Sequence, residues 1–466
     1  MSVTRRPLLV ADMTLVTAGA MTANVAGYLL QLLAGRWLGV NGYSEFASLL
    51  AVQLLCAVPA LALQNVVARE FVRGAPVAAL RALQWRCAAI VAVVALALIP
   101  VVTLALDVGV LACAGALAAA PAQVLLTGEQ GILQGERRFR LLAVVLGAAG
   151  IARVVPALAL LALAAGAGPA LWGTAFGLAT AAALARALAG TPPPLSAAPS
   201  SAAPASAADA LPLPADPAPL SADPASPAEP GWAADARNAE PGRWPGADPR
   251  AGQQPASASG RPPVVGVLPV LRAAQVQAAL MAMSSADLIV VRMVLDEAEA
   301  GRYALGAIAA KIAFWLPAAV GVVLYPRMAQ PAHSARAIRD ALAVLSVLGV
   351  VAVLGAAVAA PLAPLFAGQD YAPVQGLLWL FALHGAILAV LQGAVLSAIA
   401  VDRTTPAALT WLGLAVEVTL MVVFARTAPA LIGTAVAVAA TTTLLVVVIA
   451  LRTDTGKPAE RRLSAR

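Results

Sequence analysis

The stretch "SSADLIVVRMVLDEAEAGRY" (284–303) carries two opposite charges, Asp287 and Arg292, inside an otherwise apolar run. An unpaired charge is expensive to remove from water, so a membrane-spanning helix keeps one only beside a cavity, a partner or a functional site. The first question about this chain is therefore whether it crosses a membrane. The second is what these two charged residues do there.

Composition answers the first question. The chain of 466 residues is 61% hydrophobic and only 11% charged, with a mean hydropathy of +0.86. Soluble domains are about half apolar and about a quarter charged. The apolar runs are long enough for helices of about 20 residues, and they lack the alternating polarity of barrel strands. The sequence therefore predicts an all-α polytopic membrane protein.

The apolar runs between charged residues predict twelve transmembrane helices, six on each side of a polar segment. They cover 13–35, 44–66, 87–106, 108–127, 141–165, 168–189, then 272–295, 303–325, 340–366, 374–400, 406–426 and 428–451. This division predicts an N-terminal lobe at 1–190, a linker at 191–263, a C-terminal lobe at 264–451 and a basic tail at 452–466.

The loop charges predict the orientation in the membrane. Eighteen basic residues lie on the side of both termini, and only Arg36, Arg292, Arg302 and Arg426 lie on the other side. Because basic loops stay in the cytoplasm, both termini are expected to be cytoplasmic. The formal charge of +7 is then a consequence of topology. It predicts contact with anionic lipid headgroups and no nucleic-acid partner.

The linker at 191–263 holds 18 of the 35 prolines, mixed with Ala, Ser and Asp. A segment of this composition cannot bury enough apolar surface to offset its chain entropy, so we expect it to be disordered. It is either a tolerated insertion without function or a tether that binds partners.

An internal repeat relates the two groups of six helices. The matched stretches are "QLLAGRWLG" (31–39) with "DLIVVRMVL" (287–295), and "PALALQNVVAR" (59–69) with "PAAVGVVLYPR" (317–327). Arg36 and Arg292 are 256 residues apart, and Pro59 and Pro317 are 258 residues apart. Two matches in register indicate a duplication. With six spans in each copy, the lobes are expected to be related by an axis along the membrane normal.

The stretch "ADLIVVRMVLDEAEAGRYALGAIAAKIAFWLPAAVGVVLYPRMA" (286–329) resembles the seventh and eighth helices of the MOP flippase superfamily, and within it the polysaccharide-biosynthesis (Wzx-type, O-antigen) transporters. The shared features are a helix-7 Asp, a Gly-x-Tyr, a mid-helix Pro and a terminal Pro-x-x-Ala. Here they are Asp287, Gly301 with Tyr303, Pro317, and Pro326 with Ala329. The resemblance covers 13–190 and 264–451, and the long linker departs from it.

The resemblance implies a MATE/MOP-like bundle of two pseudo-symmetric six-helix lobes in the bacterial cytoplasmic membrane. It implies a flippase that moves a polyprenyl-diphosphate-linked oligosaccharide, a precursor of a cell-surface polysaccharide, by alternating access. The implied partners are the lipid-linked sugar, membrane lipids, and glycosyltransferases or a polymerase of the same pathway. Since no Walker loop, metal-spaced His/Cys cluster or Ser/His/Asp set occurs, neither enzyme activity nor a cofactor or metal is expected.

Polar residues recur at helical spacing in the equivalent helices of the two lobes. In helix 1, Asn24 and Gln31 are seven residues apart. In helix 7, Gln277, Ser284 and Asp287 lie within about 80° of one another on a helical wheel. These side chains either line a central cavity or join neighbouring helices by hydrogen bonds.

Four ionisable residues lie far from the predicted membrane surfaces: Arg153 in helix 5, Asp287 in helix 7, Lys311 in helix 8 and Glu417 in helix 11. A charge at such depth costs about 2.5–3.5 kcal/mol on insertion scales, so it normally faces a cavity or a partner. Asp287 and Lys311 either form a structural ion pair or serve a substrate or coupling ion.

Arg36 and Arg292 lie nearer the outer surface, where they either extend toward water or contact a headgroup. His384 in helix 10 is more typical of a packing residue than of a proton relay. The full predicted cavity set is Asn24, Gln31, Arg36, Gln53, Arg153, Gln277, Ser284, Asp287, Arg292, Lys311 and Glu417.

Three other functions fit the same pattern. A cation-coupled multidrug exporter of this fold is expected to carry a carboxylate in helix 1, and none occurs between Asp12 and Arg36. A non-transporting scaffold of an envelope-assembly complex would have little reason to keep costly buried charges. A lipid II flippase is a close variant of the favoured function, and the sequence does not separate the two.

Overall fold

A computed structural model describes residues 5–190, 266–328, 334–399 and 405–452. Every regular element in these ranges is an α-helix or a 3₁₀-helix, so the predicted all-α class is confirmed. The predicted linker at 191–263 lies outside the described residues, as does nearly all of the predicted tail.

Six helices form the N-terminal half: α1 Arg5–Cys56, α2 Val58–Val72, α3 Val77–Leu106, α4 Val110–Gly135, α5 Phe139–Ala162 and α6 Ala167–Gly190. Helix α1 is bent at Gly39, which has φ 67° and ψ −179°. Glycine adopts a positive φ without a steric penalty because it has no Cβ. The bend separates the first two predicted spans, and α2 completes the second.

The C-terminal half contains α7 Val267–Met283, α8 Ala286–Val294, α9 Glu297–Met328, α10 Ser334–Ala359, α11 Ala363–Ala367, α12 Leu378–Ile399, α13 Thr405–Phe424 and α14 Ala428–Arg452. Short 3₁₀ segments at Ala360–Leu362 and Gln369–Leu377 flank α11. Pro361 and Pro373 lie in these 3₁₀ segments, and Pro364 lies in the first turn of α11, where a helix tolerates proline.

The predicted span over 272–295 corresponds to one apolar segment, Gln277–Val294, but its helix is not continuous. The chain leaves the helix at Ser284 and Ser285, between α7 and α8. The Ser284 hydroxyl donates to the carbonyl of Met281 at 3.0 Å, and such side-chain bonds compete with helix continuation. Gln277, Ser284 and Asp287 therefore do not share one face of a single helix.

Ten segments of the described chain are long and apolar enough to cross a membrane. One of them, Thr14–Val72, has 59 residues, which is more than the roughly 20 that one crossing needs, and the bend at Gly39 divides it. In two of these segments the most apolar part is largely exposed. Only 17% of it is buried in Val77–Leu106, which is α3, and only 11% in Arg339–Ala367, which runs from α10 through α11. Such apolar surfaces suit lipid rather than water, and the protein is a multi-pass membrane protein.

The described helices form one compact unit. In the N-terminal half α5 packs against α1 and α6, and α4 packs against α2, α3 and α6. In the C-terminal half α12 packs against α9, α10 and α14. The halves meet where α1 contacts α8 and α9, and where α2 contacts α7. This seam positions the candidate site.

Candidate functional site

A cavity of about 250 Å³ lies on the seam between the two halves. Its wall is built from α1, α2, α4 and α5 on one side and from α7, α8 and α9 on the other. Its polar lining residues are Asn24, Tyr28, Gln31, Gln53, Gln123, Arg153 and Lys311, beside the indole of Trp315. The two cations, Arg153 and Lys311, come from opposite halves, and none of the described residues that line the cavity is acidic.

Arg153 reaches the cavity because small residues let α5 approach its neighbours closely. A Cβ at Gly27 of α1 would lie only 2.8 Å from Nη2 of Arg153, so the guanidinium occupies space that a side chain would fill. On the other side, a Cβ at Gly177 of α6 would overlap the backbone at Ala152 and Arg153. The arginine is thus held between α1 and α6.

Lys311 is anchored at the break between α7 and α8. Its Nζ donates to Oγ of Ser285 at 3.2 Å. Its backbone carbonyl accepts a hydrogen bond from the Tyr28 hydroxyl of α1, also at 3.2 Å. The serine pair that interrupts the predicted helix therefore supplies a partner for the ammonium, and Tyr28 ties α9 to the opposite half.

Asp287 lies behind the cavity wall and is 2% exposed. Its Oδ2 accepts from the Tyr303 hydroxyl at 3.1 Å, and its Oδ1 accepts from the backbone N–H of Leu288 at 2.8 Å. Asp287 and Lys311 attract each other electrostatically, yet no ion pair within 4 Å joins these two described residues. The structural ion pair considered above is therefore absent, and the carboxylate is satisfied by hydroxyl and backbone donors.

Glu417 and His384 are fully buried in the C-terminal half. Among the described residues, neither carboxylate oxygen of Glu417 and neither ring nitrogen of His384 has a hydrogen-bond partner. Glu417 lies close enough to Asp287 and Tyr303 for their charges to interact. Two buried carboxyl groups whose charges interact repel each other when both are ionised. Glu417 does not line the cavity.

The remaining predicted residues lie elsewhere. Gln277 is half-buried in α7, and Ser284 lies in the turn after it; neither lines the cavity. Arg36 and Arg292 are also absent from its wall and instead bond across the seam to the opposite half, at the end of the bundle where α3 and α8 end. We call this the distal end.

Sequence reasoning missed Gly27, Gln123 and Trp315. Gly27 is three residues after Asn24 and four before Gln31, so its place on their face was readable from helical spacing. Gln123 is an isolated amide two residues after Pro121 in an apolar helix. Trp315 gave no signal, because an aromatic residue in a membrane helix is ordinary.

No family model matches the chain, and no curated protein matches it in sequence. Solved structures do match. The lipid II flippase MurJ in an inward closed conformation has a TM-score of 0.63 and 11% identity, covering 94% of this chain and 87% of that one. A mutant form of the Vibrio cholerae MATE transporter VcmN has a TM-score of 0.53 and 14% identity, covering 96% of this chain and 97% of that one. This chain therefore has the helical fold that MurJ and the MATE transporter VcmN share, which is the fold implied by the resemblance to the MOP superfamily.

Proposed function

We propose that this protein is a flippase of the bacterial cytoplasmic membrane that moves a polyprenyl-diphosphate-linked oligosaccharide, a precursor of a cell-surface polysaccharide. One observation carries the proposal. The cavity between the halves has one cation from each half, Arg153 and Lys311, and several neutral amides, and its wall contains no acidic residue in the part of the chain that the structure describes. This lining favours an anionic, hydrated headgroup.

The two cations suit a diphosphate in different ways. The planar guanidinium of Arg153 presents paired donors that match phosphate oxygens, whereas the ammonium of Lys311 acts as a point charge. The amides of Asn24 and Gln31 can hydrogen-bond to sugar hydroxyls. At about 250 Å³ the cavity is smaller than most ligand sites, so the halves must separate to admit a sugar chain.

The energy source belongs to the same proposal. Asp287 and Glu417 are buried and are not among the described lining residues of the cavity, and the charge of Asp287 acts on Lys311. A proton or small cation taken up by these carboxyl groups would change the charge beside Lys311 and hence its attraction for phosphate. We assign these two carboxyl groups to coupling. The proposal also places both termini of the chain in the cytoplasm, as the basic loops indicate.

The alternatives differ in what the cavity must bind. A multidrug exporter of cationic compounds would face repulsion from Arg153 and Lys311. A scaffold would not need a cation from each half at one cavity. A lipid II flippase, the activity that gives MurJ its name, stays the nearest alternative because its substrate also presents a diphosphate.

The deciding experiment is deletion of the gene followed by analysis of accumulated polyprenyl-linked intermediates. We expect an undecorated surface and accumulation of the diphosphate-linked oligosaccharide. The wild-type gene and the control Arg302→Ala should restore export, while Arg153→Ala and Lys311→Ala should reduce it by roughly tenfold or more. Arg153→Lys should restore it only in part, since Lys lacks the paired donors.

Other outcomes redirect the assignment. Accumulation of lipid II in place of the oligosaccharide would identify the alternative substrate. Unchanged intermediates with new sensitivity to cationic drugs would identify a multidrug exporter. Full export by the double variant Arg153→Ala/Lys311→Ala would remove the basis of the proposal.

A further inference from the structure

Two arginines at equivalent positions of the internal repeat, Arg36 and Arg292, cross the seam in opposite directions at the distal end. Arg36 belongs to α1 of the N-terminal half and bonds to α11 of the C-terminal half. Arg292 belongs to α8 of the C-terminal half and bonds to the end of α3 in the N-terminal half. The contacts are thus reciprocal.

Arg292 is fully engaged. Its Nε donates to the carbonyl of Leu106, Nη1 to Oγ of Ser44, and Nη2 to the carbonyl of Asp107, each at 3.0 Å. Nη2 also pairs with Glu297 of its own half at 3.0 Å, which fixes the direction of the guanidinium. The Arg292 side chain is only 6% exposed. Three of its four partners lie across the seam.

Arg36 makes the corresponding contact from the other side. Its Nη1 donates to the carbonyls of Leu365 at 3.2 Å and Phe366 at 3.3 Å. Leu106 and Leu365 are 259 residues apart, close to the spacing of 256 between the two arginines. Donors and acceptors are therefore both repeated: each arginine binds the end of the third predicted span of the opposite half.

Helix ends are good acceptors for these cations. The last carbonyls of a helix have no partner within it and carry the negative end of the helix dipole. Both ends here stop abruptly at a residue with positive φ, Asp107 at 48° and Gly368 at 115°. Termination at these residues turns the final carbonyls of α3 and α11 toward the opposite half.

Other contacts close the same end. The Tyr371 hydroxyl donates to the carbonyl of Gly35 across the seam at 3.0 Å. Gly301 of α9 packs directly on the carbonyl of Val40, where a Cβ would overlap it. With this end shut, the cavity must open toward the end that carries the termini.

We propose that Arg36 and Arg292 are a reciprocal pair of latches, produced by the duplication, that hold the distal end closed and set the balance between the two access states. The latch rests on alternating access in the proposed function, but not on the identity of the substrate. Arg292 is the stronger member, because it makes three cross-seam bonds with a side chain that is 6% exposed, while Arg36 makes two and is exposed.

A cysteine reporter in the cavity tests the latch. Ala47→Cys places a thiol on the cavity wall with little change in volume. Cys56 and Cys87 are replaced by Ala, and Cys113 is kept as a folding control because it is 0% exposed. A membrane-impermeant thiol reagent is applied to intact cells and to inverted vesicles, and mass spectrometry measures labelling at each cysteine.

We expect Arg292→Ala to raise labelling at position 47 from the outer side by roughly tenfold, since losing even one hydrogen bond to a charged group shifts an equilibrium by about that factor. Arg36→Ala should give a smaller rise and the double variant the largest. The matched control is Arg302→Ala, because Arg302 is a distal-end cation whose Nε binds the Asp370 carbonyl within its own half. It should change nothing.

Unchanged labelling in both single variants would overturn the latch. If Arg292→Ala fails to fold, Cys113 becomes labelled from both sides, and the exposed Arg36→Ala then carries the test. A rise seen only from inverted vesicles would keep the latch and reverse the predicted topology. Labelling needs no substrate, so the two proposals can fail separately. Raised labelling in the variants, with no oligosaccharide accumulating in the deletion strain, would leave the latch standing and refute the proposed function. Unchanged labelling, with the oligosaccharide accumulating in the deletion strain, would refute the latch alone.

Discussion

At the scale of single residues, the sequence identified the cations that line the cavity, but it did not identify the residues that make room for them. Arg153 and Lys311 stand out in apolar runs because their side chains are costly there. Gly27 does not, because its contribution is the absence of a side chain, which leaves room for the Arg153 guanidinium. Glycine is common in membrane helices, so the sequence does not show where the lack of a Cβ matters. Only the packing around Gly27 shows it.

Gly27→Ala should therefore impair transport without unfolding the protein. The new Cβ would lie 2.8 Å from Nη2 of Arg153, and the flexible end of Arg153 must move. A displacement of this kind can cost tenfold or more in rate, roughly as for other misplaced groups. Sugar export and the melting temperature of the purified protein measure the two effects. Gly147→Ala on α5 is the control, since its Cβ would meet Gly19 at an ordinary 3.9 Å. Equal export by both variants would contradict the placement of Arg153.

Glu417→Gln should separate coupling from stability. Glu417 is fully buried, and neither of its oxygens has a partner among the described residues, so replacing its charge by a neutral amide of the same shape should leave the melting temperature unchanged or raise it. Transport in reconstituted vesicles should lose its dependence on the imposed proton or sodium gradient. Glu70→Gln, which removes exposed ion pairs to Arg69 and Arg73, is the control. Retained gradient dependence in Glu417→Gln would exclude this residue from coupling.

At the scale of elements, apolarity predicted where the chain crosses the membrane, and local backbone chemistry decided where helices bend or stop. The span over 87–106 ends at the observed end of α3, Leu106. The span over 272–295 is interrupted at Ser284 and Ser285, because hydropathy does not register hydroxyls that bond to the backbone. The sequence likewise does not show that Gly39 differs from other glycines, although α1 bends at its positive φ.

Gly39→Ala should lower the stability of the protein by about 1–3 kcal/mol, because this combination of positive φ and extended ψ is accessible almost only to glycine. No described atom lies within 4 Å of the added Cβ, so the cost comes from backbone strain. Gly355→Ala in α10 is the matched control: it also meets nothing within 4 Å but has no positive φ, and it should be neutral or slightly stabilising. Thermal unfolding in detergent compares them. A stable Gly39→Ala protein would contradict the bend.

At the scale of the whole molecule, the repeat and the count of basic loop residues are the two sequence features with consequences for architecture. The repeat paired Arg36 with Arg292, but their use in cross-seam bonds depends on contacts between residues more than 180 apart, such as Arg292 and Leu106. No local pattern encodes such a contact. The cavity is likewise formed by residues of seven helices, α1, α2, α4, α5, α7, α8 and α9, so the charge of its lining becomes clear only once these helices are packed together.

The predicted topology can be checked with two exposed positions. Arg186→Cys near the end of α6 should react with an impermeant thiol reagent only in inverted vesicles, and Arg426→Cys between α13 and α14 only in intact cells. This expectation follows from the retention of basic loops in the cytoplasm. The opposite pattern would reverse the orientation of the bundle.

The lipid-facing position of α3 and α10 has a mechanical consequence. Each of these weakly buried helices leads into carbonyls that an arginine of the other half holds. Bilayer thickness and lateral tension act most directly on such peripheral helices. A mismatch between the apolar length of a helix and the thickness of the bilayer costs roughly a fraction of a kcal/mol per ångström. Acyl-chain length in proteoliposomes should therefore change the rate of the transport that we propose, even though no described residue of α3 or α10 lines the cavity.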